Sequence, residues 1–366
     1  MRCVIAGGGT GGHLFPGMAV AEAFVEREIG NGVLFIGTER GIEARVLAGG
    51  KFPLRTIEAR PIKGRSLLEK LKAIWSIPMA VSEALSILKD FQPQIVLGVG
   101  GYASGPALMA ASLLRIKRAI HEQNVVPGMT NRILRWFSHR IFVSFEETKK
   151  YFPVKKTFVT GNPIRKEILT CLQASREGRE RRKEERFTLL IFGGSAGAHR
   201  INETVLEALD SLKEVKSSMR IIHQTGKDDL DVVSKGYQEE GFDALVRPFF
   251  DDMATYYQMA DLIICRSGAS TVAELAVCGK AAILIPYPFA AHHHQSINAQ
   301  RLVDIGAARM IEDRALSGPV LAETILHLYS HPEERERMEE RIQQVGRPRA
   351  AEEIVDHCYE LVYRVH

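Results

Sequence analysis

The sequence has little that is typical of a secreted or membrane-spanning protein. Its five cysteines are odd in number, scattered and without a CxxC pair. This pattern argues against a disulfide framework and a thiolate zinc site, and it favours a reducing cytoplasm. No apolar run reaches the ~18 residues that a membrane span needs. Because the chain starts directly in a strand-like run, we expect no signal peptide and contact with a membrane only at its surface.

The chain also has little net charge. A net charge of +4 permits an anionic partner, but no stripe of interleaved basic and aromatic residues is present, so we expect no nucleic acid partner. With 45% hydrophobic and 25% charged residues, the composition is that of an ordinary globular protein. At 366 residues the chain is too long for one typical core, which favours two domains.

Two glycine-rich turns are the most informative features present. Gly7–His13 follows the apolar run 2–6, and Gly193–Gly197 follows the apolar run 187–192. A turn of this kind between a strand and a helix presents backbone N–H groups and a positive helix end to an anion. The repeat predicts an α/β protein in which two Rossmann-like domains with parallel sheets face a deep cleft that holds a phosphorylated ligand.

Apolar runs alternate with helical patterns in both halves of the chain, as expected for parallel strands covered on both faces. Gly161-Asn162-Pro163 is a strong breaker and places the predicted domain boundary. The expected domains are 1–163, joined by a C-terminal helix at about 345–366, and 164–344. The predicted strands are 33–36, 94–97, 118–121, 140–143, 220–223, 244–247, 262–265 and 281–285, and the predicted helices are 15–28, 106–114, 200–212, 251–259, 270–278 and 292–303, with charged helices after Pro319.

Both glycine turns admit other interpretations. The first satisfies GxGxxG, with Glu39 placed where a dinucleotide fold has its ribose acid, but its polar residues make it longer than a tight dinucleotide turn. The second satisfies GxSxG, the nucleophile elbow of hydrolases, for which Asp261 and His292 could complete a triad. A hydrolase has a single sheet, so an anion-binding serine is the simpler interpretation of Ser195.

The run His292-His293-His294 invites a metal interpretation. Adjacent histidines on a helix point in different directions, and no carboxylate has ligand spacing to them, so an exposed helix start is favoured and no metal or cofactor is predicted. Glu274 lies on a predicted helix and could accept hydrogen bonds from both hydroxyls of a ribose, while Ser270 and Thr271 could cap that helix and bind phosphate.

An apolar stripe with basic residues around it lies in the first half. It consists of Leu67, Leu68, Leu71, Ile74 and Trp75, surrounded by Lys63, Arg65, Lys70 and Lys72. This pattern suits an interfacial helix near anionic lipid, although packing into the core is an equal alternative. The segment 113–118 repeats the mixture of basic and apolar residues.

Several longer motifs resemble those of the MurG family, the N-acetylglucosaminyltransferases that convert lipid I to lipid II in peptidoglycan synthesis. The motifs occur in the family's order and span residues 2 to about 300. They are GGTGGHLFPG at 8–17, HEQN at 121–124 with Pro127-Gly128, GNPIR at 161–165, GGS at 193–195 and CRSGA at 265–269.

The resemblance implies a GT-B fold whose C-terminal helix crosses back onto the first domain. It implies UDP-GlcNAc as donor, held mainly by the second domain, and undecaprenyl-diphosphate-MurNAc-pentapeptide (lipid I) as acceptor, held by the first. It further implies a peripheral protein on the cytoplasmic face of an anionic membrane, with other cell-wall synthesis proteins as candidate partners.

Site residues follow from matching motif positions. On the first domain, Thr10, Gly11, Gly12 and Asn124 would reach the donor. Arg165 and Ser195 would act on the nucleotide and its diphosphate, and the backbone of Phe250 would meet uracil. The segment Ala269, Ser270, Thr271, Val272, Ala273 and Glu274 would bind the ribose-phosphate, with Glu274 on the ribose hydroxyls. Gln295 and Asn298 would read the sugar hydroxyls.

The chain departs from the family in three places. Ala196 stands where glutamine commonly follows GGS, Phe250 stands where a smaller aliphatic residue is common, and the histidines before Gln295 replace a more acidic or glutamine-rich loop. One nucleotide contact is therefore missing or replaced at Ala196, and only a backbone contact carries over at Phe250.

The expected chemistry is attack of the MurNAc C4 hydroxyl on the anomeric carbon of GlcNAc, with UDP leaving and α inverting to β. A neutral imidazole suits proton removal at pH 7, which makes His13 the candidate base and Glu122 the next carboxylate to consider. The remaining alternatives are a nucleotide-sugar enzyme with another acceptor, a dehydrogenase and a non-catalytic nucleotide-binding module.

Overall fold

The computed structural model divides the chain into two compact units, Met1–Arg165 with Arg347–His366, and Lys166–Gly346. Each unit is a parallel sheet with helices packed on it, which confirms the predicted α/β class with two Rossmann-like halves. The basic and apolar stripe around Leu71 and most of the charged run 176–186 lie outside the described part of the chain. The structure describes residues 1–39, 41–48, 50–59, 76–171 and 186–363.

The sheet of the first unit has the strand order β3-β2-β1-β4-β5-β6-β7 in the described residues, and its pairings are parallel. Val4 in the middle of β1 lies between Leu34 on β2 and Val96 on β4, so the central strands are buried on both sides. The strands are β1 (Arg2–Ala6), β2 (Gly32–Gly37), β3 (Leu54–Thr56), β4 (Ile95–Gly98), β5 (Lys117–Glu122), β6 (Arg140–Val143) and β7 (Thr157–Val159).

Helices cover both faces of this sheet. The apolar side chains of the first helix, among them Leu14, Val20 and Phe24, share a core cluster with Ile354 and Cys358 of the C-terminal helix. The last helix of the chain therefore belongs to the core of the first unit. The helices are α1 (Gly11–Arg27), α2 (Ile42–Val46), α3 (Ile77–Phe91), α4 (Ser104–Leu113), α5 (Met129–Leu134) and, at the C-terminus, α14 (Ala350–Tyr363).

The second unit repeats the arrangement with the order β10-β9-β8-β11-β12-β13 among its described residues. Its central strand, Phe187–Phe192, is apolar except at Thr188 and is buried at each position, as the sequence predicts for a parallel strand covered on two faces. The strands are β8 (Phe187–Phe192), β9 (Met219–Gln224), β10 (Ala244–Arg247), β11 (Leu262–Cys265), β12 (Ala282–Leu284) and β13 (Arg309–Met310).

Two helix predictions in this unit are wrong at their ends. The helix expected over 200–212 ends at Ala208 and continues as a 3-10 segment, Asp210–Ser218. The helix expected from 292 begins at His294, because His292 and His293 have φ of 55° and 51°, outside the helical region. The helices are α6 (Lys166–Leu169), α7 (His199–Ala208), α8 (Leu230–Glu240), α9 (Met253–Met259), α10 (Ala269–Cys278), α11 (His294–Asp304), α12 (Gly318–Ser330) and α13 (Pro332–Gln344).

The buried carboxylate of Glu43 holds the first glycine turn through hydrogen bonds. Glu43 on α2 is 1% exposed and accepts hydrogen bonds from the Gly9 N–H at 2.7 Å, the Thr38 N–H at 2.8 Å and the Thr38 hydroxyl at 2.9 Å. A Cβ on Gly8 or Gly41 would lie 2.3 or 2.1 Å from the nearest carboxylate atom, so these glycines make room for the charge. Glu43 therefore joins the end of β2 to the turn after β1.

We predict that Glu43→Ala destabilises the first unit. The substitution leaves three donors without their acceptor, and each buried donor left unsatisfied costs ~1–3 kcal/mol. A loss of at least ~2 kcal/mol corresponds to a fall in Tm of roughly 4–8 °C for a unit of this size. Differential scanning calorimetry of the full chain measures the shift.

The matched control is Glu39→Ala, because Glu39 lies four positions away and is exposed. Its stability should stay within about 0.5 kcal/mol of the unsubstituted chain. An equal Tm for the two variants would mean that the three hydrogen bonds do not stabilise the turn.

Candidate active site

Both glycine turns lie where ligands bind in open parallel sheets. Gly7–Gly12 follows β1 and Gly193–Gly197 follows β8, and these are the strands at which the order reverses in each sheet. Outside the carboxyl ends of such strands, neighbouring loops diverge to opposite faces and leave a crevice. The strand order thus places each predicted anion-binding turn at the expected position of its own unit.

The first turn presents polar groups at the surface. Thr10 and Gly12 are exposed, while Gly11 and His13 are partly exposed in the first turn of α1. Thr10 is the N-cap of α1 in extended conformation, and the first turn of the helix contains no acidic residue. The positive end of the helix dipole is therefore not neutralised by a carboxylate in its own first turn.

The hydrogen bond to Gln123 selects one tautomer of the neutral His13 ring. The Gln123 side chain donates from Nε2 to the Val99 carbonyl at 2.7 Å, which turns its Oε1 toward His13 Nδ1 at 3.3 Å. Because a carbonyl oxygen only accepts, the proton of the neutral imidazole is on Nδ1 and the lone pair is on Nε2. Gly100 leaves space for this ring, since a Cβ there would lie 2.8 Å from His13 Nδ1.

His121, the histidine of the HEQN motif, is unsuited to proton transfer. It is fully buried, and its Nε2 is 3.1 Å from the Gly161 carbonyl. Burial lowers the pKa of His121 to about 4, so the ring is neutral at pH 7 and donates to that carbonyl. Its role is to join two motifs of the first unit.

Glu122 organises the loop that follows β5. The carboxylate is 2% exposed and accepts from the Asn124 N–H at 3.0 Å, the Gly128 N–H at 3.1 Å and Asn131 Nδ2 at 2.9 Å. Burial raises the pKa of Glu122, while these hydrogen bonds favour its charged form. This geometry indicates that Glu122 positions Asn124, which is partly exposed. It is less suited to a base that touches an acceptor.

Arg165 ends the first unit and lies over an aromatic ring of α1. Its guanidinium carbon is 4.7 Å from the centre of the Phe15 ring, a cation–π distance. The side chain is partly exposed, which leaves part of its surface accessible to an anion.

The second glycine turn is tied to the segment around Phe250 by one side chain. Gln224, at the end of β9 and 3% exposed, donates from Nε2 to the Gly194 carbonyl at 2.9 Å. Its Oε1 accepts from the Phe250 N–H at 2.9 Å. A nucleobase that met the Phe250 backbone would therefore meet its carbonyl oxygen. Ser195 and Ala196 at the tip of the turn are exposed.

The helix α10 presents its first two turns to the carboxyl end of β11. Its N-cap is Gly268 without a side-chain cap, so the expectation that Ser270 and Thr271 cap the helix is wrong: both already lie inside its first turn. Ala269 and Val272 are buried, and Ser270, Thr271, Ala273 and Glu274 are partly exposed. The Glu274 carboxylate accepts from the Tyr257 hydroxyl at 2.9 Å.

The two residues expected to contact the sugar differ in accessibility. Gln295 is partly exposed, and its Oε1 accepts from the Tyr287 N–H at 2.9 Å. Asn298 is fully buried, donates from Nδ2 to the Ser267 carbonyl at 3.2 Å and has an Oδ1 without a hydrogen-bond partner. In this structure Asn298 supports the Ser267 backbone, and Gln295 lies nearer the surface.

The hydrolase alternative is excluded by strand direction. Asp261 accepts from the Thr188 N–H at 2.7 Å, at the start of β8, whereas Ser195 follows the end of that strand. The rise of ~3.3 Å per residue places the two at opposite edges of the sheet. In the described part of the chain, no three His, Cys, Asp or Glu side chains are arranged to hold a metal ion.

Three residues with a bearing on the site were missed by the sequence reasoning: Gln123, Gln224 and Tyr257. Gln123 is part of the HEQN motif, so the motif itself was a sequence signal for this residue. Gln224 and Tyr257 are a strand-end amide and a tyrosine on an apolar helix face, which have no recognisable local pattern.

Comparisons with known proteins agree with these features. Residues 3–143 match the glycosyltransferase family 28 N-terminal domain and residues 188–354 match the glycosyltransferase family 28 C-terminal domain. A Myxococcus xanthus protein named UDP-N-acetylglucosamine--N-acetylmuramyl-(pentapeptide) pyrophosphoryl-undecaprenol N-acetylglucosamine transferase is 49% identical over 362 residues, covering 99% of this chain and 93% of the relative. A Geobacter sulfurreducens protein of the same name is 51% identical over 356 residues, covering 97% of each chain.

A solved structure gives the same result. The crystal structure of Acinetobacter baumannii MurG superposes with a TM-score of 0.77 at 32% identity, covering 97% of this chain and 98% of that one. The two parallel-sheet units are those of the GT-B fold. The chain therefore belongs to the MurG family within glycosyltransferase family 28.

Proposed function

We propose that the chain transfers N-acetylglucosamine from UDP-GlcNAc to the C4 hydroxyl of MurNAc in undecaprenyl-diphosphate-MurNAc-pentapeptide, giving lipid II. The observation that carries this proposal is the near-half identity, over almost the whole chain, to proteins named as transferases of this kind. The two glycine turns and the carboxylate on α10 supply the groups that a nucleotide-sugar donor requires.

In this proposal the second unit, Lys166–Gly346, holds the donor. Ser195 and the backbone N–H groups of its turn bind the diphosphate, the Phe250 carbonyl accepts from the uracil N3–H, and Glu274 accepts from the ribose hydroxyls. The segment 269–273 presents the N-terminus of α10 to the phosphates, and Gln295 contacts the sugar. Asn298 acts through Ser267.

The first unit, Met1–Arg165 with Arg347–His366, binds the acceptor in this proposal. Thr10, Gly11, Gly12 and Asn124 reach toward the donor sugar from the turns of this unit. His13 Nε2 removes the proton of the C4 hydroxyl as the oxygen attacks the anomeric carbon. UDP leaves from the opposite face of the sugar, so the anomeric configuration inverts.

Charge stabilisation of the leaving diphosphate comes from fixed positive groups. Arg165 supplies a full charge, and the N–H groups of the second turn and of α10 supply aligned dipoles. These groups are already oriented before reaction, so the transition state gains their stabilisation without reorganisation. This scheme assigns no step to a metal.

The experiment that tests the function combines radiolabelled UDP-GlcNAc with a soluble short-chain lipid I analogue, in parallel with other UDP-sugars. Transfer from UDP-GlcNAc alone, with a β-linked product, supports the proposal. Efficient transfer from another UDP-sugar, or binding without transfer, contradicts it.

The first prediction from the proposed function concerns the donor. Glu274→Ala removes charge-assisted hydrogen bonds worth ~1.5–3 kcal/mol each, so the KM for UDP-GlcNAc should rise at least tenfold. Steady-state kinetics at saturating acceptor measures the change.

Glu323→Ala provides the control, because Glu323 is an exposed helix glutamate in the same unit. Its donor KM should equal that of the unsubstituted chain. A folded Glu274→Ala enzyme with an unchanged donor KM would remove Glu274 from the ribose site.

The second prediction concerns the base. His13→Ala should lower kcat about 10²–10⁴-fold because general-base catalysis is lost. UDP affinity, measured by calorimetry, should stay nearly intact.

Two other outcomes would reassign His13. Activity near that of the unsubstituted enzyme would mean that His13 is not the base. UDP affinity weakened tenfold would make His13 a donor-positioning residue.

The acceptor carries a polyprenyl chain, and we propose that the first unit docks on the cytoplasmic face of an anionic membrane. Among the described helices, none is long and apolar enough to cross a bilayer. Close to the α4–α5 contact, Leu113, Met129, Ile133 and Trp136 are 68%, 63%, 55% and 69% exposed. Basic side chains lie among them, including Arg135, whose guanidinium is 4.8 Å from the centre of the Trp136 ring.

The third prediction follows from this surface. Binding to vesicles should require anionic lipid and weaken with salt, since each basic residue near the surface contributes ~1 kcal/mol. The double variant Ile133→Glu with Trp136→Glu should strongly reduce sedimentation with such vesicles. If the apolar stripe around Leu71 is an interfacial helix, the double variant Leu71→Glu with Trp75→Glu should reduce sedimentation as well.

Activity on the soluble acceptor analogue separates docking from folding. Both double variants should retain it, and Val232→Glu, which alters a 65% exposed valine of the second unit, should change neither property. Unfolding of the Leu71/Trp75 variant would place that stripe in the core, and unchanged vesicle binding by both variants would contradict docking through these surfaces.

A further inference from the structure

The carboxylate on α10 has a buried hydrogen-bond donor behind it. Tyr257, on α9, is fully buried, and its hydroxyl donates to Glu274 Oε2 at 2.9 Å. Glu274 itself is partly exposed. The pair therefore consists of an inner phenol and an outer carboxylate.

Packing holds the phenol ring in place. The ring meets that of Phe192 edge to face, with centroids 5.9 Å apart and an interplanar angle of 90°. Phe192 is the last residue of β8 and directly precedes the second glycine turn. The contact with Phe192 therefore holds the Tyr257 ring against the end of β8, the strand from which the proposed diphosphate-binding turn starts.

The phenol is a permanent donor at neutral pH. Burial, and next the negative charge of Glu274, raise the pKa of Tyr257 well above its usual value. Since the hydroxyl stays protonated, it supplies a hydrogen to the carboxylate and never competes with it as an anion.

A glutamate side chain that binds two vicinal hydroxyls must adopt one orientation. An unrestrained glutamate loses up to ~1.5–2 kcal/mol of rotamer freedom when it is ordered, and that cost weakens binding. An ionised carboxylate has about four acceptor positions, so one hydrogen bond from Tyr257 leaves acceptor capacity for ligand hydroxyls. Ordering Glu274 in advance would spare the ligand this cost.

We propose that Tyr257 is a positioning residue for the donor: its hydroxyl sets the orientation in which Glu274 receives the ribose hydroxyls. The inference rests on the proposed role of Glu274 in nucleotide binding and extends it to a residue that does not touch the donor.

The test is Tyr257→Phe, which keeps the ring and its contact with Phe192 and removes the hydroxyl. The KM for UDP-GlcNAc should rise about three- to tenfold, because one hydrogen bond that orients Glu274 is lost. The kcat should stay within about twofold, because Tyr257 does not touch the reacting atoms. With a donor that carries 2′,3′-dideoxyuridine, which has no ribose hydroxyl for Glu274 to bind, the same substitution should change KM less than twofold. A general loss of structure would affect both donors alike.

Tyr237→Phe is the matched control. Tyr237 is also a buried tyrosine of the second unit, and its hydroxyl is 2.8 Å from His223 Nδ1 rather than from Glu274. This variant should shift Tm without changing the donor KM.

A double-mutant cycle provides a second measurement. In the Glu274→Ala background, Tyr257→Phe should add nothing to the donor KM, because the group that it orients is absent. Additive effects, or an equal effect of Tyr257→Phe on the normal and dideoxy donors, would overturn the proposal.

Failure of the underlying function has a different signature. If Glu274→Ala leaves the KM for UDP-GlcNAc unchanged, the ribose role of Glu274 fails. If Glu274→Ala raises KM and Tyr257→Phe does not, only the positioning role of Tyr257 fails.

Discussion

The direction of parallel strands is the constraint on which the arrangement of both units depends. Because neighbouring strands run the same way, all carboxyl ends meet at one edge of each sheet, and every loop that carries a site residue starts there. The turn after β1 and the loop after β5 supply His13 and Asn124 in the first unit. The turn after β8 and the helix after β11 supply Ser195 and Glu274 in the second. The same constraint separates Asp261 from Ser195 and removes the hydrolase alternative.

Buried polar side chains then determine how these loops are shaped. Glu43 holds the first glycine turn, Glu122 holds the loop of Asn124, and Gln224 joins the second turn to Phe250. Each has its polar atoms in hydrogen bonds to backbone groups that would otherwise be unsatisfied away from water. Such contacts keep flexible glycine-rich segments in one conformation, and this reduces the entropy that a ligand must overcome on binding.

Much of the fold could be predicted from the sequence, since long apolar strands and glycine turns carry strong local signals. Strands β8 and β11 and the helix α10 were placed within one or two residues. The edge strands β3, β7 and β13 were missed because they have two or three residues each and no periodic pattern. The start of α11 was misplaced because His292 and His293 adopt a left-handed conformation that residues without glycine's freedom rarely enter.

The sequence by itself determined the class of the protein, the motif residues and their order along the chain. Those properties depend on residue type and local spacing, which are visible without coordinates. Only the tertiary structure decided that Glu122 is a buried support, that Gln123 directs the lone pair of His13 to Nε2, and that Tyr257 meets Glu274. Each of these contacts joins different elements of the fold, and the distance between such residues is set by how helices and strands pack, which no local pattern encodes.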